Sequence, residues 1–224
     1  MEATTAPEGE ARSLSFVRNK IASFLAFAPL TLWTIVHVWD NLSAFKGAET
    51  WEATVTAHRH PVSLWLSSTV VLLPLAIHTI WGVQRLFTSR PNNNHYGYFG
   101  NLRYLLQRLS AIGVLFFIGA HMWLAFIHPR VVEKHPEAFA DIAAHMHHHV
   151  PTLIVYLLGT LGVAYHVGNG LSGFAWNWGI AATRKSVKRF ERAGIVLFVV
   201  LLVMSWAAIF ALWQAGAAFP APMD

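Results

Sequence analysis

Apolar residues along the chain gather into five blocks, roughly 21–44, 62–86, 105–127, 151–175 and 193–215, with polar segments between them. Each block exceeds the ~20 residues that a helix needs to cross the hydrocarbon of a bilayer. Lipid offers no partner for an exposed backbone amide, so such blocks must be helical. The pattern therefore predicts an all-α integral membrane bundle of five transmembrane helices over 21–215. A polar tail, 1–20, precedes it and a short tail, 216–224, follows. Composition agrees: the chain is 55% hydrophobic and 12% charged, about half the charge of an ordinary soluble protein. The first apolar block follows polar residues that include Pro7 and three glutamates and lacks a convincing cleavage site, so residues 1–20 read as a loosely ordered cytoplasmic tail rather than a secretory signal.

Charge sets the expected orientation. With the N-terminus inside, the cytoplasmic segments hold Arg12, Arg18, Lys20, Arg85, Arg90, Arg103, Arg108, Arg184, Lys185, Lys188, Arg189 and Arg192, twelve of the 16 basic residues. Only Lys46, Arg59, Arg130 and Lys134 fall outside. The positive-inside rule then puts the N-terminus in the cytoplasm and, after five crossings, the C-terminus in the exterior. The pI near 9.8 is accounted for by this topology. Nothing in it calls for nucleic acid, because no basic stripe interleaved with aromatics lies on a soluble domain.

Four of the spans each carry one histidine well inside the apolar block: His37, His78, His121 and His166, at intervals of 41, 43 and 45 residues. An ionisable residue at bilayer depth is costly and marks a functional site by default. Helix rise converts position into depth: His37 and His121 each lie about 16 residues, or ~24 Å, into spans that start inside, while His78 and His166 lie as far into spans that start outside. His37 therefore pairs with His121 near the outer face, and His78 with His166 near the cytoplasmic face. The two levels are on the order of 10–18 Å apart. Two pairs of imidazoles inside a helix bundle read as axial ligands of two haems. The chain has no cysteine, which excludes an iron–sulfur cluster and covalent haem attachment, so the haems are of b type. No Gly-x-Gly-x-x-Gly follows a strand, so flavin or nicotinamide would have to come on a partner.

Residues 4, 7 and 11 positions from each histidine share its helix face. Around His166 that face shows Gly159, Gly162, Gly170 and Gly173, room for a flat macrocycle; around His78 it shows Gly82 and Arg85. Arg85, about 10 Å from His78, is placed to pair a haem propionate. Around His121 the face shows Ser110, Gly113 or Val114, and Phe117; around His37 it shows Ala26, Leu30, Trp33 and Asn41. The plainer readings are a packing or proton-relay histidine and close helix contact at the glycines. One histidine per helix at two matched depths favours haem ligation.

Two stretches carry a resemblance. Tyr104-Leu-Leu-Gln-Arg-Leu-Ser-Ala-Ile-Gly113 with Phe117-Ile-Gly-Ala-His121 resembles a Leu-Gln-Arg-x-Ser/Thr-Gly…His signature, and Tyr165-His-Val-Gly-Asn-Gly-Leu-Ser-Gly-Phe-Ala-Trp-Asn-Trp-Gly179 resembles a His-x-x-Asn-Gly-x-x-x-Phe-x-x-x-Trp-Gly segment, followed by the basic stretch Arg184–Arg189. Both are similar to the single-chain, five-helix, di-haem cytochrome b558 family of succinate dehydrogenases and fumarate reductases, over about residues 15–215. The resemblance implies a flavoprotein subunit that oxidises succinate and an iron–sulfur subunit that relays electrons. The chain itself would anchor both in the bacterial cytoplasmic (inner) membrane and pass electrons to a quinone, menaquinone or else ubiquinone. It implies the same histidine pairs, and cytoplasmic loops 84–108 and 180–192 as the docking surface. Some fumarate reductases of this type use a glutamate two residues before the last ligand for proton transfer. Ala164 stands there, which favours succinate oxidation.

A quinone site needs a proton-exchanging group near water. Asp40, Glu49, Glu52, His58 and His60 lie close to the outer level, and the family's use of a glutamate in the first exterior connection singles out Glu52 or Glu49; a solvated loop acid is the competing reading. His145, His147, His148 and His149 precede Pro151; interfacial residues at the mouth of the fourth span compete with a metal site at His145 and His149. Trp39, Trp51, Trp65, Trp123, Trp176, Trp178 and Trp213 read as interface markers. Asn92, Asn93, Asn94, His95, Tyr96 and Tyr98 form a polar inner loop, and the fifth span completes the bundle. Rival functions are the cytochrome b subunit of a formate dehydrogenase or hydrogenase, and a haem-free proton-coupled transporter.

Overall fold

This computed structural model describes residues 8–56, 61–88 and 97–222. Arg59, His58 and His60, Arg90, and Asn92 to Tyr96 lie outside the described residues. Among those described, all regular structure is helical. α1 runs Glu8–Asn41, α2 Ala48–Trp51, α3 Pro61–Thr88, α4 Phe99–Met122, α5 Phe139–His148, α6 Val150–Asn177 and α7 Arg184–Gly216. A 3₁₀ turn, Leu42–Lys46, links α1 to α2, and widened π turns follow α2 and prolong α4 to Glu133.

Among the described residues, five helical runs are long and apolar enough to cross a membrane: Phe16–Lys46, Ser68–Thr88, Phe99–Glu133, Val150–Asn177 and Arg184–Gly216. They coincide with the five apolar blocks. Their outer surfaces carry large exposed apolar side chains, Leu32, Val70, Phe116, Val196 and Val203 among them, as a lipid-facing bundle requires. Tryptophans 39, 65 and 176 are exposed near helix ends, where aromatic belts form. Trp51 differs: it is 2% exposed, and its indole N–H donates to Asn41 Oδ1 at 3.2 Å.

The helices run further than hydrophobicity alone predicts. α1 is already helical at Glu8, inside the segment expected to be loose. Its residues 19 and 20 are tied to the bundle: Arg85 donates to Asn19 at 2.9 Å, and Lys20 Nζ to the carbonyl of Asn177. α7 starts at Arg184 because Thr183 and Ser186 form a reciprocal cap, Ser186 N donating to Thr183 Oγ1 (3.1 Å) and Thr183 N to Ser186 Oγ (2.9 Å). The basic stretch 184–192, expected to be a loop, is thus the exposed first turns of a helix.

One end of the bundle gathers the basic residues and the other the histidine-rich turns. At the basic end, Arg103 pairs with Glu191 of α7 at 2.6 Å. At the opposite end a short helix absent from the hydrophobic pattern, α5, lies against the last turns of α7 and buries Ile142, Ala143 and Met146. Gly216 allows that approach, since a β-carbon there would fall 2.1 Å from the Ala143 carbonyl oxygen. A cluster of buried apolar residues, including Trp51, Phe139, Met146, Tyr156 and Leu212, sits at this end.

Candidate cofactor site

The four membrane histidines meet in two pairs. His37 of α1 and His121 of α4 have ring centroids 5.8 Å apart, and His78 of α3 and His166 of α6 have centroids 6.0 Å apart. Two imidazoles bound to one metal through bonds of about 2 Å have centroids roughly 6 Å apart. All four line one elongated cavity of about 390 Å³, within the range of cofactor sites. Its wall is mostly apolar.

Glycines divide into two kinds along this cavity. Gly82 lines it and a β-carbon there would meet nothing within 4 Å; Gly170 also lines it, with only Gln107 Nε2 near, at 3.9 Å. Gly162 is not among the lining residues. It faces Val114 at 3.6 Å, an ordinary contact with α4. At Gly159 a β-carbon would overlap the Phe117 ring at 2.1 Å. The expected stripe beside His166 is therefore hollow only at its basic-end half, and the rest is helix contact.

A polar shell surrounds the histidines. Gln107 Nε2 donates to the carbonyl of His166 at 3.1 Å and lies 3.2 Å from its Nδ1. Ser110 Oγ lies 3.3 Å from the same Nδ1 and donates to the Gln107 carbonyl at 2.9 Å. Asn169 Nδ2 donates to Gln107 Oε1 (2.8 Å), and Arg103 donates to Asn169 Oδ1 (2.6 and 3.0 Å) and to Ser172 (3.2 Å). At the other pair, Tyr156 Oη lies 3.1 Å from His121 Nδ1, Trp33 stacks on His37 with centroids 4.5 Å apart, and Asn41 Nδ2 donates to the His37 carbonyl at 2.8 Å.

If Nε2 is to bind a metal, Nδ1 must carry the proton and needs an acceptor. Ser110 Oγ can serve His166, because its own hydrogen is committed to Gln107. The amide nitrogen of Gln107 is a donor and cannot. Helix periodicity puts Ser110 on the face of His121, eleven residues away on the same helix; its hydroxyl faces His166 instead. Gln107, Asn169 and Tyr156 were not singled out as functional, although Gln107 and Asn169 stand within the two quoted motifs.

Other expected residues lie elsewhere. Arg85 is not on the cavity wall; its guanidinium reaches Asn19 of α1, and its carbonyl accepts from Arg108 at 2.6 Å. Glu52 Oε1 accepts from Phe139 N at 2.9 Å, satisfying a free amide at the start of α5. Glu49 is exposed. Three of the clustered histidines tie elements together, His147 to the Trp213 carbonyl, His148 to that of Phe219 and His149 to Thr152 at the start of α6, while His145 bonds the Asp141 carbonyl within α5. Instead, among the described residues, Glu133, His135 and Asp141, all exposed, bring three donor atoms within 4.8 Å. The fifth span does more than complete the bundle, since Ser205, Ala208, Ile209 and Leu212 of α7 line the cavity.

A five-span helical membrane protein with paired imidazoles around an internal cavity is the class that this fold and site define. Residues 88–206 match the model of the succinate dehydrogenase/fumarate reductase transmembrane subunit. The chain is 31% identical over 199 residues to the succinate dehydrogenase cytochrome b558 subunit of Bacillus subtilis, covering 88% of this chain and 96% of that one. It is also 29% identical over 105 residues to the succinate dehydrogenase hydrophobic membrane anchor subunit of Thermoplasma acidophilum, covering 47% of this chain and 78% of the relative. The chain belongs to the family of succinate dehydrogenase and fumarate reductase transmembrane subunits, as a membrane-anchor subunit.

Proposed function

We propose that this chain is a di-haem cytochrome b anchor that links a succinate-oxidising flavoprotein and an iron–sulfur subunit to menaquinone in a bacterial cytoplasmic membrane. The observation that carries the reading is the meeting of His37 with His121 and of His78 with His166 along one cavity, each pair with ring centroids near 6 Å. The residues fit haem b. The four imidazoles supply nitrogen donors in two facing pairs, the wall is mostly apolar, and Gly82 and Gly170 leave open the space that a flat ring requires. Haem, when bound, supplies a one-electron carrier at each pair.

The chain's own residues hold and orient. His78 and His166 serve the pair at the basic end, and His37 and His121 the other. By the positive-inside rule the basic end faces the cytoplasm and the histidine-rich end the exterior, so the N-terminus is inside and the C-terminus outside. The exposed first turns of α7 at 184–192 and the basic ends of α3 and α4 form the surface for the iron–sulfur subunit. Arg85, tied to Asn19, stands at this end as well, and its guanidinium carries more donors than that bond uses, so it stays the candidate partner of an inner-haem propionate.

Reduction of a quinone consumes two electrons and two protons. Near the outer pair, Glu49 is exposed and free to exchange protons with water, whereas Glu52 is engaged at the start of α5. Glu49 is thus the stronger candidate, and Glu52 acts by holding α5 in place. Purification from native membranes tests the reading. It predicts copurifying flavoprotein and iron–sulfur subunits, haem b, and succinate-dependent reduction of a menaquinone analogue. A formate dehydrogenase or hydrogenase partner, or an absence of haem bands, would contradict it.

A further inference from the structure

The two histidine pairs differ in what stands behind them. His166 Nδ1 faces a serine hydroxyl at the polar, basic end, where Ser110 lies 3.3 Å away within the Gln107–Asn169–Arg103 network. His121 Nδ1 faces a phenol, Tyr156 Oη at 3.1 Å, and Tyr156 belongs to the buried apolar cluster at the opposite end. Tyr156 is only 9% exposed. Its ring stands edge-on to Phe117 (centroids 5.4 Å, 89°), and Phe117 in turn stacks on His121 (5.7 Å, 24°). Gly159, one turn beyond Tyr156 on α6, lets the Phe117 ring approach so closely that a β-carbon there would fall 2.1 Å from it. Three residues on two helices thereby fix the imidazole of His121 on its far side. His37, across the cavity, stacks on Trp33.

We propose that Tyr156 is the positioning residue of the outer haem: its Oη accepts the Nδ1 proton of His121, presents Nε2 to the metal, and lowers that haem's reduction potential. The inference rests on the di-haem reading and goes beyond it by assigning the outer haem its own tuning group. The physical chain is short. A hydrogen bond accepted from Nδ1–H makes the imidazole a more basic ligand. A more basic ligand favours the ferric over the ferrous state. In a low-dielectric core that bond acts at greater strength than it would in water. Ser110 occupies the equivalent position behind His166, so each haem has its own handle.

The test is an optical redox titration of the intact membrane complex, wild type against Tyr156→Phe, Ser110→Ala and Phe117→Leu. Phenylalanine keeps the ring and removes only the acceptor. Tyr156→Phe should retain two bis-histidine haems while the reduced-to-oxidised ratio of the outer haem at a fixed potential rises roughly three- to tenfold, the value of one hydrogen bond. The inner haem should not move. Ser110→Ala should shift the inner haem alone, and Phe117→Leu, which loosens the packing but keeps the hydroxyl, should leave the outer potential near wild type. An unchanged outer potential in Tyr156→Phe, equal shifts of both haems, the same shift in Phe117→Leu, or loss of the outer haem would each overturn the assignment. Should Tyr156→Phe fail to assemble, the wild-type complex grown with ring-labelled tyrosine serves. A labelled phenol C–O band in the infrared difference spectrum should titrate with the outer haem, and its absence would overturn the proposal. Wild-type complex holding fewer than two haems would instead defeat the underlying reading.

Discussion

Gly168 of α6 and Gly194 of α7 meet backbone to backbone. A β-carbon on Gly168 would fall 2.6 Å from the Gly194 carbonyl oxygen, and one on Gly194 would fall 2.3 Å from that of Gly168. Lipid tails are as apolar as leucine, so helices in a bilayer are held by close packing rather than by hydrophobic exclusion, and small residues permit it. This contact lies two residues from His166 on α6. It therefore fixes the α6 backbone beside that imidazole against α7.

Gly194→Ala is expected to separate α6 from α7 by the width of a methyl group and to destabilise the bundle by about 1–3 kcal/mol, the usual cost of overpacking. The measurement is the thermal-inactivation midpoint of the detergent-solubilised protein. Gly194→Leu should also deplete the haem at the basic end. Gly97 offers a control, since a β-carbon there meets nothing within 4 Å and alanine should be tolerated.

Open space at glycine makes the opposite kind of prediction. Gly82 and Gly170 border the cavity without crowding, so Gly82→Leu or Gly170→Leu should fold yet lose inner-haem occupancy, because the new side chain fills the slot. Gly162→Ala should cost little by comparison, as its nearest neighbour, Val114 Cγ2, stands at ordinary contact distance. Haem content per chain, read as the pyridine haemochrome, separates these variants.

The two exterior glutamates should behave differently. Glu49→Gln is expected to keep haem and dye-linked succinate oxidation while blocking menaquinone reduction. Glu52→Ala removes the acceptor for Phe139 N and should cost about 0.5–2 kcal/mol, as loss of a helix cap does, with quinone activity impaired only as far as α5 is loosened. Equal and complete loss of quinone reduction in Glu52→Ala, with Glu49→Gln unaffected, would move the proton-exchanging role to Glu52.

Much of this architecture is written in the chain at the level of whole elements. Five apolar blocks give the five long helices because nothing but a helix satisfies backbone amides in lipid, and histidine spacing with helix rise suffices to pair His37 with His121 and His78 with His166 before any contact is known. What is not legible is azimuth. A helix-face argument lists the neighbours of a residue on its own helix but not which other helix they meet, so it sets Ser110 beside His121 although the hydroxyl faces His166, and it gives no sign that Arg85 also reaches Asn19 of α1. Trp51 was read as an interface residue because tryptophans near span ends usually are; its partner, Asn41, lies ten residues away across a turn. α5 escaped notice because ten residues rich in alanine and histidine make too short and mild an apolar stripe to stand out. Gln107 and Asn169 were quoted within motifs, but their hydrogen bond joins α4 to α6 across 62 positions, a separation that spacing along one helix cannot reveal.

The most direct test of the central claim is the haem stoichiometry of the purified chain and of its four single His→Ala variants. The account predicts two haem b per wild-type chain, with His78→Ala or His166→Ala removing mainly the haem at the basic end and His37→Ala or His121→Ala mainly the other. One haem per chain, none at all, or a variant set in which His37 pairs with His78 would contradict it.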